Sequence, residues 1–188
     1  GYSSAASDVY KRQDLFPAVG KWQECFAADR SCLTIKTGHP VNIRRNIKMS
    51  KVAVVYWSST GNTEAMADAV VEGAKEKGAD VTLYECADFR PELVGEYDAI
   101  AFGCPAMGDE VLEEDEFEPM FDGCKDALKD KKIALFGSYG WGDGEWMRNW
   151  EESCKEAGAV LATESVICND MPDDDGVANC KELGAALA

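Results

Sequence analysis

The chain has 188 residues, 46% apolar and 29% charged, enough for one packed domain and too apolar for wholesale disorder. Nineteen basic against 35 acidic residues give a formal charge of −16. That balance argues against nucleic acid and anionic membrane surfaces as partners, and no apolar run reaches the ~18 residues that span a bilayer.

The charge divides the chain. Residues 1–48 carry 8 basic and 4 acidic side chains, and residues 49–188 carry 11 and 31. The first stretch shows no sustained period of 3.6 or 2 and no apolar segment of a signal peptide. Asp8, Asp14, Glu24 and Asp29 speak against a mitochondrial presequence. Ser3 to Gln13 resembles a translated library adapter, and Arg44-Arg45, read as AGG-AGG, would stand at ribosome-binding distance from Met49. We expect 1–48 to be a non-native or disordered extension and 49–188 to be the domain.

None of the eight cysteines forms a C-x-x-C pair, so zinc-ribbon and iron–sulfur readings lack their spacing. A long chain with no signal peptide also fits a secreted disulfide framework poorly. The expectation is a cytoplasmic protein with reduced, mostly buried thiols. The only histidine is His39, which removes Ser-His-Asp and Cys-His mechanisms from 49–188.

From Met49 the pattern becomes regular. Lys51 to Tyr56 (KVAVVY) is a continuous β-branched run, as in a strand buried on both faces. After a Ser/Thr/Gly loop, Met66, Ala69, Val70, Gly73 and Ala74 recur at helical spacing, and Gly78 suits the helix end. Val81–Tyr84 and Asp98–Gly103 predict the second and third strands. Phe117, Met120, Phe121, Cys124 and Leu128 form a second helical stripe. Lys132–Gly137 predicts a fourth strand, and Trp146, Met147, Trp150, Cys154 and Ala157 a third stripe. Val160–Val166 predicts a fifth strand, and Val177, Cys180, Leu183, Gly184 and Leu187 a closing helix. Strands alternating with helices imply a parallel sheet covered on both faces. Ligands of such sheets bind beyond the carboxyl ends of the strands.

Three loops at that edge carry chemistry. Ser58-Ser59-Thr60-Gly61-Asn62-Thr63 offers hydroxyls and backbone N–H groups at a helix start, which suits a phosphate. It contains no lysine and is not a Walker A loop. The plainer alternative is a Ser/Thr helix cap without a ligand. Cys104-Pro105-Ala106-Met107-Gly108-Asp109-Glu110 places a methionine in a turn after a strand. Ser138-Tyr139-Gly140-Trp141-Gly142-Asp143-Gly144 places a tryptophan among small residues, where it can stack on a flat ligand or pack on the surface. The three together point to a flat phosphorylated ligand.

Residues 49–188 resemble a short-chain bacterial flavodoxin through YWSSTGNTEAMA, GCPAMGDEVLE and LFGSYGWGDGEWM. The resemblance implies an α/β flavodoxin-like, doubly wound, five-stranded parallel sheet in order 2-1-3-4-5, a three-layer sandwich. It also implies tightly but non-covalently bound FMN and low-potential one-electron transport between redox enzymes, with no catalytic residue and no metal. Ser58, Thr60, Asn62 and Thr63, with Ser59 and Gly61, would hold the phosphate. Met107 would lie on the inner face of the isoalloxazine and Trp141 on the outer. Glu110 would accept a hydrogen bond from flavin N3–H. Gly140 and Trp141 backbone would reach the pyrimidine edge, and Gly108-Asp109 would be the peptide that reorients on reduction. Ala106, Ser138, Tyr139 and Asp143 complete the cofactor-binding set. Pro105 replaces a serine that donates to the phosphate in some relatives, and proline cannot donate.

Acidic residues crowd the same rim: Asp109, Glu110, Glu113, Glu114, Asp115, Glu116, Glu118 and Asp122. They are expected to steer basic docking faces of redox partners, such as reductases and ferredoxin-dependent enzymes, toward a monomer. A unit charge at ~6 Å and an effective dielectric of ~20 is worth roughly 3 kcal/mol, about 0.1 V against the reduced flavin. The alternative function is an FMN-dependent oxidoreductase of flavodoxin-like fold acting on a quinone or NAD(P)H, for whose extra loops the domain leaves little room. A receiver-type signalling module would need paired aspartates near the first strand, where the Ser/Thr loop stands.

Overall fold

The computed structural model describes residues 49–188; the expectation for 1–48, with Cys25, Cys32 and His39, lies outside them. Strand β1 (Lys51–Tyr56) is buried from Val52 to Tyr56 because it runs between two parallel neighbours, β2 (Asp80–Glu85) and β3 (Ala99–Gly103). Helix α1 (Asn62–Glu76) joins β1 to β2, and left-handed Gly78 follows its end. Helix α2 (Phe117–Cys124) continues as a 3-10 turn over Lys125–Ala127, and β4 (Lys132–Tyr139) then pairs with β3. Helix α3 (Glu145–Glu156), β5 (Val160–Leu161), β6 (Val166–Asn169) and α4 (Asp174–Leu187) complete the domain.

The sheet runs β2-β1-β3-β4-β5, all parallel, which is the expected doubly wound order. One expectation is corrected: the single fifth strand over Val160–Val166 is two strands. Leu161 lies opposite Ile133 and Val166 opposite Phe136. The outer strand thus spends five residue steps where β4 spends three. Two extra residues cannot stay in the ladder, so the chain leaves it and returns as β6.

Alternation along the strands builds the layers. Ala53, Val55, Ile100, Phe102, Ile133 and Leu135 pack with Phe117, Phe121, Trp146 and Trp150 of α2 and α3. Edge-to-face ring pairs run through this layer, with Phe102 and Trp150 each meeting Phe121 at 5.2 and 5.5 Å. On the opposite face Val52, Val54, Ala101, Ala134 and Phe136 pack with Met66, Val70, Cys180 and Leu183 of α1 and α4. The two helices touch backbone to backbone: a Cβ at Gly73 would stand 2.0 Å from the Lys181 carbonyl oxygen, and one at Gly184 2.0 Å from that of Val70.

All six described cysteines are buried free thiols. Burial pushes Cys86 and Cys124 up to about 11 and Cys154 up to about 12, so none of these three is a thiolate nucleophile at neutral pH. Among the described residues, no helix is long and apolar enough to cross a membrane.

Candidate functional site

The carboxyl ends of β1, β3 and β4 carry the three polar loops, on either side of the point where strand order reverses. In the first, Ser58 Oγ accepts from Gly61 N at 3.0 Å, and Gly61 turns left-handed at φ 87° immediately before α1. Among the described residues no side chain caps α1. The Ser58 hydroxyl thus serves the N-cap residue Gly61, and among the described residues no side chain takes the N–H groups of the first turn, where an anion could bind. Thr63 is buried and its Oγ1 lies 3.0 Å from Ser138 Oγ at the end of β4. Ser59 and Thr60 stay exposed, and Ser58 and Asn62 are half-buried.

The second loop leaves β3 alongside β4, with Ala106 N donating to Ser138 O at 2.9 Å. Met107 and Val111 exchange both backbone hydrogen bonds, at 2.9 and 3.0 Å, and close a turn with Gly108-Asp109-Glu110 at its tip. Gly108 has φ 44° and Glu110 φ 56°. The turn thus already uses left-handed backbone at 108 as it stands. Pro105 is buried behind the turn, between Cys104 and Ala106.

In the third loop Trp141 is 61% exposed, so its ring is not packed away against the protein. Gly140 is exposed beside it, and Tyr139 is half-buried with its ring 5.5 Å from that of Trp146. The Asp143 carboxylate pairs with Arg148 at 2.7 Å. Glu110 reaches across from the second loop, and its Oε1 accepts from the backbone N–H groups of Asp143, Gly144 and Glu145 at 3.2, 2.8 and 3.0 Å. The sequence places Glu110 at flavin N3–H and on the acidic rim, and it does not reveal these three bonds.

The acidic rim is less free than its sequence suggests. Glu113 is buried: its Oε2 accepts from Phe117 N and Glu116 N at 2.8 and 2.9 Å, and its Oε1 from Asp115 N at 2.9 Å. Burial alone would raise its pKa, but these three donors outweigh burial and hold it below the ordinary carboxylate value. Trp57 Nε1 donates to Glu116 at 2.9 Å, and Lys125 pairs with Asp122 at 2.7 Å. Asp109, Glu114, Asp115 and Glu118 remain as exposed acids.

The residues present fit FMN. An uncapped helix start amid hydroxyls suits its phosphate, and an exposed indole with a methionine turn suits its ring. Fold and loops thus define a doubly wound protein with three polar loops, a candidate flavin-nucleotide site, at the switch point. The flavodoxin family model matches residues 54–184, and the chain belongs to that family.

It is 47% identical over 137 residues to a flavodoxin of Megasphaera elsdenii, covering 73% of this chain and 98% of that protein. A flavodoxin of Clostridium beijerinckii is 44% identical over 135 residues, covering 72% and 97%. The solution structure of two-electron reduced Megasphaera elsdenii flavodoxin superposes with a TM-score of 0.68, covering 72% of this chain and 97% of that one. Flavodoxins bind FMN and carry electrons to redox partner proteins, and this chain is such a carrier rather than an enzyme. An oxidoreductase acting on a quinone or NAD(P)H is not favoured.

Proposed function

We propose that the chain carries single electrons at low potential through an FMN held by the three loops, with the uncapped start of α1 as the observation that carries the reading. Ser58, Thr60, Asn62 and Thr63 bind the phosphate, aided by the N–H groups of the first turn and the turn at Gly61. Ser138 orients the Thr63 hydroxyl. Pro105 gives nothing to the phosphate, so the load falls on the first loop. Met107 and Trp141 bracket the ring and keep water from it, and Glu110 accepts from N3–H. When bound, FMN supplies the one-electron chemistry.

Asp109, Glu114, Asp115 and Glu118 give the rim a negative field that disfavours added electrons and orients basic partner faces toward a monomeric carrier. A reducing, cytoplasmic compartment suits the six free thiols.

Titration of the apoprotein with FMN and with riboflavin tests the site. FMN should bind far more tightly than riboflavin, and Trp141→Ala should weaken both by about the same factor while apoprotein stability stays unchanged. Equal affinity for FMN and riboflavin would overturn the phosphate assignment. A Trp141→Ala protein that keeps full affinity would overturn the stacking assignment.

A further inference from the structure

We propose that Glu110 is a positioning residue whose carboxylate clasps the 107–111 turn to the start of α3 and fixes the two ring-binding loops relative to each other before FMN arrives. This rests on the three-loop FMN site above. It differs from the N3–H contact because it acts between parts of the protein itself. Three observations support it.

First, a single oxygen, Glu110 Oε1, collects the N–H groups of Asp143, Gly144 and Glu145 at 3.2, 2.8 and 3.0 Å. These are donors at the start of α3, whose own cap position is a glycine with no side chain to offer. An anionic acceptor from another loop takes over that task and meets the positive end of the helix dipole. All three bonds go to Oε1, so the proposed N3–H contact would fall to Oε2.

Second, the partner loop is shaped around the carboxylate. A Cβ at Gly142 would stand 2.4 Å from Glu110 Cδ and 2.5 Å from its Oε1. Any side chain at 142 would occupy the place of the clasp. Gly142 itself sits at φ 95°, and Gly144 at φ 86° leads into the helix.

Third, Glu110 holds a left-handed backbone, φ 56°, which non-glycine residues adopt only when the surroundings impose it. The turn that imposes it is closed by the reciprocal Met107–Val111 pair. Met107 therefore moves with Glu110, and Trp141 adjoins Gly142. Fastening one carboxylate fastens both faces of the ring slot, so that the apoprotein spends more of its time competent to bind.

The test begins on the full-length apoprotein, by amide hydrogen exchange. Glu110→Gln retains a neutral acceptor of the same shape, and Glu110→Ala retains none. Exchange at Gly144 and Glu145 should speed up several-fold in Glu110→Gln and tenfold or more in Glu110→Ala, with Val52–Val55 of β1 unchanged as the check on folding. If Glu110→Ala fails that check, Glu110→Gln carries the comparison.

A double-mutant cycle with Gly142→Ala follows, read as FMN affinity. Gly142→Ala should cost several-fold more affinity in the wild type than in Glu110→Ala, because only the wild type has a carboxylate to displace. Exchange at 144 and 145 unaltered in both Glu110 variants, or strict additivity in the cycle, would overturn the clasp. A wild type that takes up no FMN overturns the proposed site instead, and the exchange comparison, which needs no flavin, still decides the clasp.

Discussion

Glu113 gives the sharpest test of how the flavin-side turn is supported. Its carboxylate takes three backbone N–H groups at 2.8 to 2.9 Å around the start of α2, and the side chain is buried. Glu113→Gln keeps the volume and one acceptor oxygen. That oxygen can retain Glu116 N and Phe117 N, while the new amide NH₂ faces Asp115 N, donor against donor. Losing one bond and weakening two charge-assisted ones should cost about 2 kcal/mol in all. For a domain of this size the midpoint of thermal unfolding should fall by roughly 6–10 °C.

The effect must also depend on pH. The folded-state pKa of Glu113 lies below the ordinary value, so its contribution is complete above that ordinary range and is lost as pH falls through the folded pKa. Thermal melts of both apoproteins at neutral pH and in stepwise acid should show the gap between wild type and Glu113→Gln narrowing toward zero. A gap of the same size at every pH would refute the charge argument and leave only a packing effect.

Gly61→Ala places a side chain at φ 87° with nothing within 4 Å, so backbone strain of about 1–2 kcal/mol is its whole cost. FMN affinity should drop roughly tenfold with riboflavin affinity unchanged; an equal drop for both would place the loop elsewhere than on the phosphate. Gly108→Thr likewise meets open space but a left-handed backbone, φ 44°, and should cost about 1–2 kcal/mol in the turn already described. It should lower affinity for oxidised FMN and change the separation of the two one-electron potentials in redox titration, and unchanged affinity would show that the turn accommodates threonine freely. Association with a basic-faced reductase should slow as salt shortens the Debye length below ~10 Å, and stopped-flow rates indifferent to salt would remove the acidic rim from docking.

Elements that rest on local pattern were legible from the chain alone. KVAVVY reads as a doubly buried strand because every residue after Lys51 is buried, and α1 and α3 follow their apolar stripes. The three loops could be placed because strand ends and topology place them. The division of the last strand could not, since it depends on counting residues against β4, and register is a relation between two segments. The same limit hid the contacts of the site. Thr63 and Ser138 meet across 75 residues, and Glu110 reaches Gly144 across 34. Glu113 and Glu110 look like members of one solvated acidic run, and only the folded chain separates two helix-capping carboxylates from the exposed acids around them.

Backbone contact between α1 and α4 at Gly73 and Gly184 fastens the helix that follows the first loop to its neighbour on the same face of the sheet. The second and third loops are joined by one carboxylate, that of Glu110. In the proposed site, the phosphate and the ring of the cofactor would therefore rest on separately supported parts of the fold. A change in the helix pair and a change in the clasped turns would then act through different contacts, and their effects on the site should add.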